Sequence, residues 1–176
     1  MVKIGKFFSY VIFFILALMY FIPKESIYYF AEKELKNYNV IIAHEAVKDS
    51  GFSLKLQHLD IYVESIESAK VDSVSISLFG VYNAVDAKNI ILTDALASML
   101  PVKIDTVSIR YSIFHPTDII LNATGAFGTI EAKANLIERK VDARLKPSTV
   151  MKRKYRSTLR NFKKQSNGEY EYVQSF

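Results

Sequence analysis

The chain of 176 residues contains no cysteine. That removes disulfides, thiolate metal sites and a cysteine nucleophile together, and leaves the fold to rely on its core alone. Six glycines and four prolines are scattered along it, so there is no Gly/Pro-rich hinge, no low-complexity linker and no internal repeat. Neither Gly-x-Gly-x-x-Gly nor Gly-x-x-x-x-Gly-Lys-Ser/Thr occurs, and with them goes the backbone loop that cradles a nucleotide phosphate. Gly125 and Gly128 read as turn residues. No His-Glu-x-x-His pair and no Gly-x-Ser-x-Gly elbow is present. His44, His58 and His115 fall in separate strands or turns, without ligand-like spacing to a carboxylate or to one another. Asp60, Glu64, Glu67 and Asp72 alternate with apolar residues, as on a solvated sheet face. Asn122-Ala123-Thr124 matches a glycosylation acceptor, a pattern short enough to arise by chance. The expectation is a protein that is not an enzyme, with no catalytic residues, no metal and no cofactor.

What is there begins with FFSYVIFFILALMYFIP, Phe7 to Pro23, seventeen positions without a charge between Lys6 and Lys24. As a helix it covers about 25 Å, against a hydrocarbon core of about 30 Å, so the flanking lysines must snorkel outward. A secretory signal also starts basic and continues apolar, but no Ala-x-Ala arrangement follows the run. An uncleaved anchor is the leading reading, ahead of a cleaved signal and of a buried core helix. Its membrane-facing residues are Phe7, Phe8, Tyr10, Phe13, Phe14, Leu16, Leu18, Tyr20 and Phe21. Lys3, Lys6 and the amino terminus on one side are balanced by Lys24, Lys33 and Lys36 on the other, so charge alone leaves orientation close to a tie. The short tail, residues 1–6, favours a cytoplasmic N-terminus with residues 24–176 outside.

Those 153 residues suit one domain. The formal charge of +5 is uneven: residues 1–147 hold sixteen Lys/Arg and sixteen Asp/Glu, whereas residues 148–176 hold seven against two. Just past the run, KESIYYFAEKELKNYN repeats Ile27, Ala31, Leu35 and Tyr38 at helical spacing, with Pro23 suited to the first turn and Asn37 to Asn39 as the stop. From residue 40 the period becomes two. Phe52, Leu54 and Leu56 are followed by Leu59, Ile61 and Val63, a slip of one that a bulge near Gln57-His58 would absorb. Val74, Ile76 and Leu78 alternate with serines. Val81 to Leu92 supplies one or two strands, and Thr93 caps a short helix, DALASML, ended by Pro101. Val107, Ile109, Tyr111 and Ile113 form another strand, His115 to Asp118 turn into Ile119 to Thr124, and residues 129–145 form a hairpin around Glu138-Arg139-Lys140 closed by Pro147. About eight short strands joined by connections too short for crossover helices call for an antiparallel meander in residues 24–147.

Residues 148–176 differ again. Ser148 caps a helix over STVMKRKYRSTLRNFKKQ with Met151, Tyr155, Leu159 and Phe162 on one stripe. Lys152, Arg153, Lys154, Arg156, Arg160, Lys163 and Lys164 surround it. Three readings compete: a surface helix packed on the sheet, a contact with an anionic membrane surface, and an acidic protein partner. Nucleic acid is disfavoured, because no stacking aromatics are interleaved with the charges. EYEYVQSF adds a terminal edge strand.

The order of parts carries a resemblance: the apolar start, Phe-Ile-Pro-Lys-Glu with a short helix, the Phe52 to Val63 strand, Ser77-Leu78-Phe79-Gly80-Val81-Tyr82, and Gly128-Thr129-Ile130-Glu131-Ala132-Lys133-Ala134 leading to Leu145-Lys146-Pro147-Ser148. Over most of residues 7–150 it resembles the type II secretion system protein N family and, more broadly, the AsmA-like proteins of Gram-negative envelopes. The resemblance implies a single-pass inner-membrane protein with a curved antiparallel sheet in the periplasm and no catalytic residues. It further implies partners among envelope or secretion-system proteins, or lipid. The basic tail departs from that pattern. Two functions follow as expectations: a non-enzymatic component of an envelope secretion or transport assembly, and alternatively a lipid-binding or lipid-transfer module. The second would use Leu54, Leu56, Leu59, Ile61, Val74, Ile76, Leu78, Ile109 and Tyr111 as an acyl-chain groove, although the same alternation equally describes a closed core. An envelope hydrolase would need a side-chain cluster that only folding creates.

Overall fold

The computed structural model describes residues 2–97 and 99–176. Met1, in the expected tail, and Ser98, inside the expected short helix, lie outside the described residues. Helix α1 (Val2–Phe21) takes in the apolar run together with the charged residues before it, so the expected tail from residue 2 onward is helical. It stops just short of Pro23, which lacks an N–H and disfavours helical backbone in the residue before it. Helix α2 (Lys24–Asn37) follows at once, with Pro23 as its N-cap and Tyr38 as its C-cap. Asn39, at φ 59°, turns the chain out of the helix.

The remainder is mainly β, built on one large antiparallel sheet that does not close. Its strands are β1 (Val40–Ala43), β2 (Ala46–Asp49), β3 (Ser53–Val63), β4 (Ile66–Leu78), β5 (Tyr82–Leu92), β6 (Lys103–Ser112), β7 (Asp118–Gly125), β8 (Gly128–Asn135), β9 (Lys140–Pro147), β10 (Lys163–Lys164) and β11 (Tyr170–Ser175). Spatial order follows chain order through β9; β11 then pairs with β9 and β10 with the start of β11, while β2 shares β3 with β1. Eleven strands exceed the eight expected, because residues 40–49 split at His44, φ 64°, into two short strands and Lys163–Lys164 adds a third. Helix α3 (Asp94–Ala97) lies between β5 and β6, and Thr93 precedes it, but the Thr93 hydroxyl donates to the Glu67 carbonyl on β4 and not to the helix as the expected cap.

The basic segment does not form the single helix expected of it. It forms α4 (Thr149–Lys154) and α5 (Arg156–Leu159), broken at Tyr155, whose φ of −116° and ψ of 40° leave the helical region. Lys163 and Lys164 lie on β10, not on a helix. Ser148 does cap α4: its Oγ accepts from the Met151 N–H at 3.1 Å and donates to the Ala126 carbonyl at 2.6 Å. Met151 and Leu159 are buried with Ala123, Phe127 and Leu145. The stripe thus serves packing, and the break at Tyr155 lets two short helices follow the sheet surface.

Packing has a second centre under α2, where Tyr28 meets Leu54, Leu56, Leu59, Ala69, Val71, Ile90 and Leu92. Leu56 and Leu59 are both buried while Gln57 and His58 between them are exposed. This is the expected slip, with His58 at φ 57°. Pairing of Gln57 with Ser73 and Leu59 with Val71 sets His58 opposite Asp72. The same reading sets Asp72 opposite Asn89 (φ 52°) and Asn89 opposite Asp105. Each of these strands carries one surplus residue on the same line. Register therefore holds across them and shifts only where β6 meets β7, between Ile104 and Thr106, since β7 has no surplus residue. A separate shift in the β3–β4 pair falls at Ile61/Tyr62.

Candidate functional site

Antiparallel order gathers the turns at two ends. The turns after β2, β4, β6 and β8 share one end, and those after β3, β5 and β7 share the other, with α4, α5 and β10. Helix α1 meets the first. The Tyr20 ring packs edge-on against Phe52, centroids 5.6 Å apart, and Phe52 continues to Phe79 at 6.4 Å. Gly51, at φ 80°, permits this seat, because a Cβ there would collide with the Tyr20 ring. Lys24 fixes the elbow between α1 and α2. It is 1 % exposed, and its Nζ donates to the carbonyls of Met19, Tyr20 and Ile22 at 3.2–3.3 Å. An ammonium group there satisfies carbonyls that a helix end leaves open and meets the negative end of its dipole. Instead of reaching outward, this lysine folds back. Away from the Tyr20 contact α1 stands clear of the sheet: Phe7, Phe8, Tyr10, Phe13, Phe14, Leu16, Leu18 and Phe21 are exposed, and Tyr20 itself is half-exposed. The helix is long and apolar enough to cross a membrane.

The sheet has one apolar face, and the nine expected groove residues divide on it. Leu54, Leu56 and Leu59 are at most 2 % exposed and belong to the core under α2. Ile61, Val74 and Ile76 are partly buried and pack against the margin of that core, whereas Leu78, Ile109 and Tyr111 are partly buried outside it. Register explains the division. One row crosses the sheet as Leu54, Ile76, Val85, Ile109, Leu121, Ala132, Ala143 and Tyr172, and a second, nearer the α1 end, runs through Leu78, Asn83, Tyr111, Ile119, Ala134 and Val141. Helix α2 lies against β1 to β3, α3 against β4 and β5, and α4 against β9. Toward the α1 end of β4 to β9 these rows stay partly exposed, and only Asn83 interrupts them. From Ile76 to Tyr172 the first row spans seven strands, about 29 Å at the usual strand spacing. Val85, Ile119, Leu121 and Ala132 are additions to the expected set. Their alternation is visible in the sequence, but which residues align across strands depends on register.

The opposite face is polar and carries ion pairs between neighbouring strands, Arg110 with Asp86 at 2.7 Å and Lys133 with Asp118 at 2.8 Å. The Lys133 contact, helped by Thr117 and Asn135, holds the Asp118 carboxyl below its ordinary range. Folding also brings together side chains far apart in the chain. His44, His58, Asp60, Lys70, Asp72 and Asn89 border an open depression of about 520 Å³ on the line of surplus residues. His44 Nδ1 lies 2.9 Å from Asp60 Oδ2. No group of three or more His, Asp or Glu among the described residues is placed to hold a metal ion. His115 sits apart, in the β6–β7 turn.

No protein-family model, no curated protein and no solved structure matches this chain. The site must be judged on its geometry. The basic residues Lys152, Arg153, Lys154, Arg156, Arg160, Lys163 and Lys164 are all exposed, and they stand at the end away from α1. The ten residues of β6 separate the two ends by about 33 Å. Three of the charges, in the last turn of α4, suit that helix terminus.

Proposed function

We propose that this chain is a non-enzymatic, membrane-anchored component of an envelope transport assembly, and that it handles lipid on the uncovered apolar face of its sheet. The supporting observation is the pair of partly exposed apolar rows that begins beside the foot of α1. An apolar surface that broad is costly to leave in water and marks a binding face in a protein of this size. Here its neighbour is a helix of membrane-spanning length, so acyl chains are the ligand closest at hand, and a row of about 29 Å has room for an extended one. In this reading α1 stays attached with its N-terminus in the cytoplasm, and the sheet lies in the periplasm. The resemblance to secretion and AsmA-like proteins points the same way.

Protein partners are favoured by a separate feature. β10 pairs with Tyr170 and Glu171, and among the described residues no strand pairs with the outer edge of β11 from Tyr172 to Ser175, an edge able to accept a strand from another protein.

Site-specific photocrosslinking in intact membranes tests the lipid reading. A photoreactive phenylalanine at Ile109, on the apolar face, is expected to form lipid adducts. The same group at Ile120, exposed on the polar face of the next strand, is not. Adducts of equal yield at both positions, or at neither, refute the proposal.

A further inference from the structure

We infer that the turns at the α1 end of the sheet form a second membrane contact, seated in the headgroup region of the bilayer that α1 crosses. The inference rests on reading α1 as a membrane span. It adds that the body lies against the surface through its turns, where the proposed lipid face opens.

The contact path starts inside α1 and can be followed residue by residue. Tyr20 touches Phe52, and Phe52 touches Phe79. The Val81 N–H donates to the Phe79 carbonyl at 2.8 Å, and the Ile113 N–H to the Val81 carbonyl at 3.1 Å, which brings the β6–β7 turn onto the same rim. The Leu136 N–H donates to the Thr117 carbonyl at 2.7 Å, extending the rim to the β8–β9 turn. Phe114 and Ile137, at the tips of these last two turns, are each 78 % exposed. Turn tips facing water are normally small and polar. Here successive tips carry Phe52, Phe79, Phe114 and Ile137, and aromatic and branched apolar side chains beside a spanning helix are the composition of a membrane-interface belt.

The charges on the rim agree. Asp118 is neutralised by Lys133 at 2.8 Å, and in the β8–β9 turn Arg139 and Lys140 outnumber Glu138, a balance that suits anionic headgroups. The occupant is therefore lipid, at the depth where α1 leaves the membrane. Exposed apolar side chains at the other end, such as Ile66, lack this connection to α1. Leu78 and Tyr111, both in the row nearer the α1 end, lie on the strands that lead into the Phe79 and Phe114 turns, so the proposed lipid face opens toward this rim.

The chain has no tryptophan, so one introduced residue reports alone. Full-length F114W, I137W, I66W and F14W are each reconstituted into vesicles of phosphatidylethanolamine and phosphatidylglycerol with brominated acyl chains. Bromine quenches indole fluorescence only at short range. The expected result is strong quenching of F14W, with F114W and I137W each quenched at least about threefold more than I66W, as an interfacial position requires. If F14W is quenched while F114W and I137W match I66W, the rim is not in the membrane and the inference fails with the span intact. If F14W also escapes quenching, α1 does not span and both readings fall.

Discussion

Leu54 and Ile76 face each other across β3 and β4 on the same apolar row, yet the structure assigns them different surroundings. Leu54 is 0 % exposed under α2, whereas Ile76 is partly open. Replacing either with alanine removes three carbons, a transfer term of about 2.4 kcal/mol for a fully buried side chain. At Leu54 the backbone of two strands and α2 hold the vacated space open, and the cavity raises the cost to about 3–4 kcal/mol. At Ile76 the gap opens to solvent, no cavity forms, and part of the transfer term was never gained. About 1–1.5 kcal/mol is expected there. The loss of a β-branched side chain from a strand is included in that figure and narrows the contrast by a few tenths. The difference of about 2 kcal/mol is near thirtyfold in the unfolding constant. Urea unfolding of full-length L54A and I76A in a non-ionic detergent, followed by the far-ultraviolet signal of the sheet, separates the two midpoints by about 1 M at a slope of about 2 kcal/mol per M. Equal midpoints would mean that the row is uniformly closed, and the apolar face could not serve as an open surface.

Two further outcomes follow from single contacts. S148A leaves the Met151 N–H and the Ala126 carbonyl without their partner and should cost about 1–2 kcal/mol in the same urea assay, whereas S148T, which keeps the oxygen, should recover most of it; equal losses in both would remove the capping argument. The Tyr28 phenol, buried beneath α2 and donating to Glu45 Oε1 at 3.0 Å, is held well above its ordinary value, chiefly by burial. Its protonated form is favoured in the folded state, so its contribution is fully present below pH about 10 and is lost as pH rises beyond that. Y28F should therefore lose stability less steeply with rising pH above that point than the parent chain, and parallel slopes would contradict the assignment.

Much of the framework was legible in the residues. The period-two alternation from residue 40 onward, the slip at Gln57-His58, the His115 to Asp118 turn, the 129–145 hairpin and the terminal edge strand each depend on local pattern. The basic segment reads locally as one helix because its stripe, Met151, Tyr155, Leu159 and Phe162, keeps helical spacing across the break. Nothing local marks Tyr155 as the point where the chain must bend to stay on the sheet.

The sequence by itself determined that a helix fit to span a membrane precedes a sheet with one apolar face, because hydropathy and side-chain period are properties of neighbours along the chain. Tertiary structure alone decided which part of that face is core. Leu54 and Ile76 alternate identically with their neighbours, and they differ because Leu54 lies fully inside the core under α2 while Ile76 packs at its margin and stays partly open. It also decided that the apolar turn tips share the end of the sheet that α1 meets, with the basic cluster at the opposite end. Strand order and direction set which distant turns meet, and no spacing within the chain encodes that directly.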